Sequence, residues 1–379
     1  MNKYILCKWT LAIIFVACGL PAFSQELDAS VNEQVIMITK KGGLFSFELE
    51  TTIYKPDGEG PFPLVVINHG KAFGDPRFQG RARHSAAARF FLQRGYVVLM
   101  PMRQGFSKST GSYIGGGCNI DSNGMQQAQD TKAALDWAIG QPWADKNNIL
   151  VMGQSHGGWT TLAFGTLNYP GVKALVNFAG GLRQETCAGW EGSLARAAGG
   201  YGKETQVPSL WFYGDNDSFF APYTFRPMFE RYTAAGAKAE LVAFGNFGSD
   251  AHSMFGARAG QSIWQPKVAV LMQTVGLPTS ITHAKFSNVP IVTPVPPKTD
   301  FAALEDEAKL PHVRDTGRAG YKNFLTKQFP RAFAIAPNGV WAWAEMGDDP
   351  LKRALDSCNR NGQGQCKLYA VDDLVVWQP

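Results

Sequence analysis

A serine stands between two glycines in residues 153–157, which read GQSHG. This is the G-x-S-x-G pattern, in which a strand ends in a tight turn and a helix begins directly after it. The turn strains the backbone of the serine, and the glycines remove side chains that would collide there. A hydroxyl exposed beside a helix N-terminus is suited to attack a carbonyl carbon. We therefore predict that Ser155 is a nucleophile; a plain strand–helix turn is the alternative.

A serine nucleophile needs a base and an acid that orients the base. In folds that carry this pattern the chain order is serine, acid and histidine, with the last two in loops that follow later strands. Asp217 follows the apolar run at residues 209–213, and His252 lies in the glycine-rich loop that follows residues 240–244. The order and spacing predict that Asp217 orients His252.

Other polar residues beside these motifs have simpler interpretations. Asp215 is closer to the end of its strand and better placed to cap the turn, but it remains the alternative acid. Asp250 is too close in sequence to His252 to orient the imidazole, so we interpret it as a loop carboxylate. The side chain of His156 is expected to point away from the nucleophile.

Negative charge that develops on the carbonyl oxygen needs two N–H donors, which together form an oxyanion hole. One donor is expected to be the amide of His156, the residue after the nucleophile. The other is expected in the loop after residues 64–68, which continues HGKA. We predict the amide of Lys71, with that of Ala72 as the alternative, and we interpret the His69 side chain as support for the loop.

Short apolar runs alternate with longer amphipathic stretches between about residues 31 and 277. Six runs are typical of buried strands: 64–68, 96–100, 148–152, 174–178, 209–213 and 240–244. The helical candidates are 124–140, 156–165, 222–235 and 266–274. This alternation predicts an α/β fold with a mostly parallel sheet covered by helices on both faces. The loops that carry Ser155, Asp217 and His252 are then expected on one edge of the sheet.

A proline-rich linker is predicted at residues 286–300. It separates a large domain, expected at 25–285, from a small C-terminal α+β module at 301–379. In the module we expect paired strands at 331–336 and 340–344, a helix at 349–358 and a further strand at 367–372. Trp341, Trp343 and Trp377 are interpreted as part of the module's own core, with a binding face as the alternative.

The N-terminus is typical of an exported protein. Lys3 and Lys8 precede an apolar stretch at residues 11–20 that is too short to span a bilayer, and small residues follow it. We expect a signal peptide at residues 1–24 and a periplasmic or extracellular protein. Lipoprotein processing at Cys18 is the alternative.

Four cysteines remain after that cleavage, and an even number in an oxidising compartment predicts two disulfides. Cys358 and Cys366 are expected to close a short loop in the module. Cys118 and Cys187 are expected to pair at the rim of the site, since both follow strands of the sheet. No CxxC pair is present, so a structural zinc site is not expected.

The composition is that of a folded protein, with 45% hydrophobic and 18% charged residues. The net charge is only +5 and no run of lysine and arginine occurs, so we expect no nucleic-acid partner. We also expect no stable membrane insertion. Nothing in the sequence calls for a metal or cofactor, and the oligomeric state stays open.

Four segments in this order resemble the α/β-hydrolase superfamily, and in particular its dienelactone-hydrolase-like branch. They read LVVINHGK, GQSHGG, YGDNDSFFAP and GSDAHSMF, and PMRQGFSKSTG at residues 101–111 is also similar to that branch. The resemblance covers residues 31–277 and implies the α/β-hydrolase fold with an acyl-enzyme mechanism. True dienelactone hydrolases carry a cysteine nucleophile. The serine here is similar to that of esterases and prolyl-oligopeptidase-like peptidases.

The leading hypothesis is therefore hydrolysis of a small-molecule carboxylic ester. Amide or peptide hydrolysis by the same residues is one alternative, and a non-catalytic binding protein is another. The predicted substrate-binding residues are Phe73, Arg103, Trp159, Phe219 and Met254. Lys71 and Arg103 are interpreted either as attracting an acidic substrate or as solvated surface charges.

Overall fold

The computed structural model describes residues 27–43, 45–115, 117–287, 293–327, 329–345 and 349–379. The expected signal peptide, the alternative processing site at Cys18 and residues 288–292 of the expected linker lie outside the described residues. Within the described ranges, no helix combines the length and apolar character needed to cross a membrane.

An eight-stranded sheet forms the centre of the larger part of the molecule. Its strands are β1 (Glu33–Gly42), β2 (Phe45–Tyr54), β3 (Phe62–Asn68), β4 (Val97–Pro101), β5 (Ala144–Gln154), β6 (Val172–Phe178), β7 (Ser209–Tyr213) and β8 (Ala239–Ala243). Their order across the sheet is β1-β2-β4-β3-β5-β6-β7-β8. Strands β1 and β2 are antiparallel to their neighbours, and β4, β3, β5, β6, β7 and β8 pair in parallel. The predicted mostly parallel sheet is confirmed.

Helices cover both faces of this sheet, as predicted. They are α1 (Ser85–Leu92), α2 (Ile120–Ile139), α3 (His156–Gly165), α4 (Trp190–Glu204), α5 (Pro222–Ala234) and α6 (Gln261–Thr274). Alternate residues of β3 point to opposite faces: Leu64 and Val66 belong to the core shared with α2 to α5, whereas Val65 and Ile67 belong to the core shared with α1 and α6. Burial on both sides explains why this strand is continuously apolar.

Some elements differ from the sequence predictions. The antiparallel hairpin of β1 and β2 was not expected. Strand β8 is only partly buried because it is an edge strand with one neighbour. Helix α6 begins at Gln261 and includes Pro266, which was predicted as its first residue. The turn before the proline is held by tertiary packing, since Trp264 is fully buried with its ring 5.1 Å from that of Phe90.

A buried ion pair network fastens β1 to the loop before α1. The carboxylate of Glu33 accepts hydrogen bonds from Arg81 and Arg83, and from the backbone N–H of Asp28 at 2.7 Å. Burial by itself raises the pKa of Glu33, but the hydrogen bonds from the two arginines outweigh it and hold the pKa below the ordinary value of 4.5. The ionised carboxylate is therefore the form that the fold stabilises.

Replacing Glu33 with glutamine is expected to lower the free energy of unfolding at pH 7 by about 3 kcal/mol, because two arginines lose their buried counter-charge. The pKa is lower in the folded state, so this contribution is complete above the unfolded-state pKa. It is lost as the pH falls through the folded-state pKa. Urea unfolding of both proteins at pH 7 and pH 3 measures the difference, which should shrink at the lower pH. The exposed Glu59→Gln variant is the control, and an equal loss there would contradict the role of Glu33.

A second, antiparallel sheet forms the C-terminal module. Its strands are β9 (Arg331–Ile335), β10 (Trp341–Glu345), β11 (Lys367–Val371) and β12 (Leu374–Val375), in the order β10-β9-β11-β12, with α7 (Asp315–Leu325) and α8 (Pro350–Asn359) packed against it. The expected α+β module is confirmed. Trp341 stacks on Phe333 with ring centres 5.7 Å apart, and Trp377 is buried. Trp343 is partly buried against the same cluster, so all three tryptophans pack on the module's core rather than forming an exposed binding face.

Candidate active site

Ser155 occupies a strained turn at the junction of β5 and α3. Its backbone has φ +57° and ψ −125°, a conformation that non-glycine residues rarely adopt. A side chain at Gly153 would place its Cβ 2.3 Å from the carbonyl oxygen of Gly157. A Cβ at Gly157 would lie 2.0 Å from the carbonyl oxygen of Asn68. Both glycines of the pattern are therefore required for the close approach of strand, turn and helix.

Asp217 and His252 are joined by a buried hydrogen bond. Nδ1 of His252 lies 3.1 and 3.0 Å from the two carboxylate oxygens of Asp217. Asp217 also accepts the backbone N–H groups of Phe219 and Phe220, at 2.8 and 2.9 Å. Because the carboxylate only accepts here, Nδ1 of His252 carries the proton and Nε2 keeps a free lone pair. Asp217, and not Asp215, is the acid that contacts the histidine.

The loops that carry these two residues are bonded to each other along their length. Asp250 accepts hydrogen bonds from the backbone N–H of His252 at 2.9 Å and from the N–H and hydroxyl of Ser218 at 3.1 and 2.6 Å. Asn216 accepts from the N–H of Phe247 at 2.9 Å. Asp250 is thus more than a loop carboxylate, since it holds the acid loop against the histidine loop.

The residue before Ser155 reaches the histidine loop directly. Nε2 of Gln154 donates to the carbonyl oxygen of His252 at 3.2 Å. Among the described residues no hydrogen bond joins the Ser155 hydroxyl to His252 itself. In enzymes without substrate this contact is often long and tightens when substrate binds.

Two backbone N–H groups beside Ser155 are unpartnered within the described part of the chain: those of His156 and Lys71. The loop that carries Lys71 lies against the serine, since a Cβ on Gly70 would be 3.3 Å from Cβ of Ser155. The alternative donor, Ala72, already donates its N–H to Oε1 of Gln79 at 2.8 Å. Of the three predicted amides, those of His156 and Lys71 are therefore the two that have no partner among the described residues.

Two buried imidazoles support this arrangement. Nε2 of His69 accepts the backbone N–H of Arg103 at 3.0 Å, which leaves Nδ1 to donate to the carbonyl oxygen of Gly70 at 2.7 Å. The His156 side chain points away from the serine, and its Nε2 bonds to Oδ1 of Asn123 at 3.0 Å. Burial lowers the pKa of both His69 and His156 well below 6.5, so both are neutral at physiological pH.

Residues 69–72 form the oxyanion loop, so named for its predicted donor. Arg103 lies behind this loop and not in the cleft, which corrects its prediction as a substrate-binding residue. It is fully buried and donates to the carbonyl oxygen of His69. Burial lowers its pKa to about 10, so the guanidinium remains charged at neutral pH. The arginine positions the loop through this hydrogen bond, and its guanidinium carbon lies 5.1 Å from the ring centre of Phe106, which in turn packs on the His69 ring at 4.6 Å.

Trp159 and Met254 also lie in the core, and their predicted contact with substrate is wrong for this conformation. Trp159 has no exposed surface, donates to the carbonyl oxygen of Ile120 and packs on Tyr201. Met254 is 2% exposed within the core formed with α1 and α6. Both residues stand a few positions after Ser155 or His252, but Trp159 lies on a buried side of α3, and Met254 follows the short helical turn at Ala251–Ser253 and faces the core.

Phe73 and Phe219 do lie at the site. The ring of Phe219 is 4.4 Å from the imidazole of His252, measured between ring centres, and 5.8 Å from the ring of Phe73. Phe219 is partly buried, whereas Phe73 is 71% exposed. These two predicted substrate-binding residues therefore form an apolar edge beside the histidine.

The predicted disulfides are confirmed, as Cys118–Cys187 and Cys358–Cys366. The first joins the loop before α2 to the loop before α4, and Nε2 of Gln184 donates to the carbonyl oxygen of Gly115 between the same loops. The second bridges the end of α8 to the start of β11. The first disulfide thus fixes two loops that follow strands β4 and β6, on the edge of the sheet that carries Ser155.

Three residues that sequence reasoning missed contribute to the site: Gln79, Gln154 and Asn123. Gln79 holds the oxyanion loop through Ala72 and Gly70, Gln154 contacts His252, and Asn123 fixes His156. Only Gln154 had a sequence signal, its place inside the G-x-S-x-G pattern. Gln79 and Asn123 are distant in sequence from their partners and carry no motif.

Several solved structures are similar to this chain, with TM-scores below 0.5. A Klebsiella pneumoniae subsp. pneumoniae MGH 78578 protein assigned as a dienelactone hydrolase is 20% identical, with a TM-score of 0.46, and the match covers 64% of this chain and 99% of that one. An esterase of Pyrococcus furiosus is 16% identical, with coverage of 67% and 95% and a TM-score of 0.48. Porphyromonas gingivalis dipeptidyl peptidase 4 is 19% identical, with coverage of 64% and 35% and a TM-score of 0.47.

No curated protein matches the chain in sequence. A family model does match: the X-Pro dipeptidyl-peptidase (S15) family, over residues 45–238. The match spans half of the chain and includes the oxyanion loop, Ser155 and Asp217, while His252 lies beyond its end. The eight-stranded sheet, the turn at Ser155 and this match together identify the protein as an α/β-hydrolase that belongs to the X-Pro dipeptidyl-peptidase (S15) family.

Proposed function

We propose that this protein is a serine hydrolase that cleaves carboxylic esters, with Ser155 as nucleophile, His252 as base and Asp217 as the orienting acid. The proposal is supported above all by the hydrogen bond from Nδ1 of His252 to Asp217, which leaves Nε2 free to accept a proton. It is supported further by the strained backbone of Ser155, which non-functional turns seldom retain.

In the proposed reaction, Oγ of Ser155 attacks the carbonyl carbon while Nε2 of His252 takes the hydroxyl proton. Collapse of the tetrahedral intermediate breaks the bond to the leaving alcohol, which receives that proton and departs. Water then attacks the acyl-enzyme, His252 takes a proton from it, and the proton returns to Oγ as the acid leaves. The imidazolium formed in each half-reaction is stabilised by Asp217.

The amides of His156 and Lys71 are proposed to stabilise the oxyanion of both intermediates. Neither N–H has a partner within the described residues, and both flank the serine. The His156 amide also lies at the first turn of α3, where the aligned peptide dipoles favour negative charge. Removing one donor of an oxyanion hole typically costs about 100- to 1,000-fold in kcat.

The family match favours a second candidate, the release of dipeptides that end in proline from a free N-terminus. Recognition of a peptide α-ammonium group calls for an anionic partner. Asp217 and Asp250 are held by hydrogen bonds within their loops, and Glu185 pairs with Arg183. The ammonium group of the half-buried Lys71 bonds to the carbonyl oxygens of Ala72 and Gly74, in the loop that lies against the serine. This balance supports an uncharged or anionic ester over a peptide with a free N-terminus.

Parallel assays on the purified protein test these candidates. We expect turnover of p-nitrophenyl esters, much slower turnover of the matching p-nitroanilides, and only a small residual turnover of either by Ser155→Ala. If glycyl-prolyl p-nitroanilide were cleaved faster than the esters, the peptidase candidate would replace the proposal. If wild type and variant were equally inert, and a fluorophosphonate probe failed to label Ser155, the protein would be a non-catalytic binder.

We also propose that the protein is exported. The proposal is supported by the N-terminal sequence pattern and by the two disulfides, which persist in oxidising compartments.

A further inference from the structure

Phe73 is an exposed aromatic residue on a loop that is tied down. Nζ of Lys71 donates to the carbonyl oxygens of Ala72 and Gly74, at 3.1 and 3.0 Å, which brackets Phe73 on both sides. Gln79 holds the same loop through the N–H of Ala72 and the carbonyl oxygen of Gly70. A ring that is 71% exposed costs free energy in water, so a loop built to hold it there points to a ligand.

Phe219 presents a second ring beside the first. The two ring planes are tilted by 35° with centres 5.8 Å apart, and Phe219 lies 4.4 Å from the imidazole of His252. The guanidinium carbon of Arg183 lies 5.5 Å from the centre of the same ring. The backbone N–H of Phe219 donates to Asp217, so this ring is positioned by the acid itself.

The side of the site on which these rings lie follows from the chemistry. In the proposed reaction the leaving group takes the proton that His252 removed from Ser155, so it must depart next to the imidazole. A ring 4.4 Å from that imidazole therefore lies on the leaving-group side. We propose that Phe73 and Phe219 form an aromatic platform that selects esters whose alcohol carries a planar aromatic ring, an inference that rests on the proposed ester hydrolysis.

A planar ring fits this platform better than an alkyl group of equal size. Aromatic rings stack in offset or tilted geometries with centres 4.5–7 Å apart and gain beyond the area that they bury. Because Phe73 is open to solvent on one side, a flexible alkyl group would bury only part of its surface there. The platform thus selects an alcohol group by its planar shape and its aromatic ring, and not by the length of an alkyl chain.

The test compares benzyl acetate with cyclohexylmethyl acetate, whose alcohols are similar in size and acidity. We expect the wild type to prefer the benzyl ester, and Phe73→Ala to lower the benzyl-to-cyclohexylmethyl ratio of kcat/KM by roughly 3- to 10-fold. Phe73→Leu should lower the ratio nearly as much, because it keeps apolar area and loses the ring. Phe73→Tyr, which keeps the ring, should keep the wild-type ratio. The control is Phe45→Ala, which removes an equally exposed phenylalanine from the hairpin of β1 and β2.

A second pair of substrates tests whether the two rings lie on the leaving-group side of the site. Methyl benzoate and methyl cyclohexanecarboxylate place the ring on the acyl side, and Phe73→Ala should change their ratio much less. If that ratio moved instead, or if Phe73→Ala left the benzyl preference intact, the aromatic platform would be overturned while ester hydrolysis stood. If none of the four esters were hydrolysed, the proposed function would fail and the platform with it.

Discussion

Replacing Ser155 with alanine is expected to lower kcat for ester hydrolysis by about 10⁵- to 10⁶-fold, the size of effect found when a serine nucleophile is removed from such a constellation. The reason is chemical, since no other hydroxyl occupies the strained turn between β5 and α3. The expected residual rate comes from substrate binding and the oxyanion donors alone. Steady-state kinetics with p-nitrophenyl acetate, combined with fluorophosphonate labelling, measures the loss.

The same substitution should leave the fold unchanged. Among the described residues the Ser155 hydroxyl makes no hydrogen bond, and alanine removes only one atom from a partly exposed position. Thermal unfolding of the variant should therefore match the wild type to within a few degrees. A variant that kept a tenth of the wild-type rate with an intact fold would contradict the assignment of the nucleophile.

Replacing Asp217 with asparagine is expected to lower kcat by about 10⁴-fold with little change in KM. The amide would donate to Nδ1 of His252, which forces the ring proton onto Nε2. An imidazole in that tautomer cannot accept the proton of Ser155. Steady-state kinetics of the variant and the wild type under the same conditions measure the effect.

Asp215→Asn is the matched control for that experiment. Asp215 is two residues away and exposed, and its backbone N–H bonds to the carbonyl oxygen of Gly245 while its side chain is free of the histidine. We expect its kcat to stay close to that of the wild type. A larger loss in Asp215→Asn than in Asp217→Asn would reverse the choice between the two acids.

Asp250 is a supporting residue and not a member of the proposed triad. It does not touch the imidazole, yet it bonds to the backbone N–H of His252 and to Ser218 in the neighbouring loop. The acid and the base of the proposed triad therefore sit on loops that are held together as one unit. Preorganisation of this kind fixes catalytic groups before substrate arrives, which is where much of an enzyme's rate enhancement originates.

The sequence by itself determined the order of the chemistry along the chain. The G-x-S-x-G turn is a local feature, because only glycine fits at positions 153 and 157, whose Cβ atoms would collide with backbone oxygens. The loops after β7 and β8 had to share an edge with it once the strands were parallel. The cysteine pairing followed from the same edge, since Cys118 and Cys187 both follow strands.

Only the tertiary structure decided which side chains face the cleft. Trp159, Met254 and Arg103 stand near motif residues in sequence, yet all three are buried, because helices pack on both faces of the sheet and cover the elements that carry them. A local sequence pattern predicts how often buried residues recur along an element. It does not predict which face of that element a neighbouring helix will cover. Phe73 and Phe219 carried no stronger signal than these three, yet they lie beside His252.

The hydrogen bonds that hold the site together could likewise not be predicted from the sequence. Gln79 reaches the oxyanion loop, and Asn123 reaches His156 across 33 positions of chain. Such hydrogen bonds join groups that only the folded chain brings near each other, and any glutamine or asparagine has the same donors and acceptors. The sequence thus determined the reacting groups through local backbone geometry and strand order, whereas long-range packing decided their supports and the surface offered to a substrate.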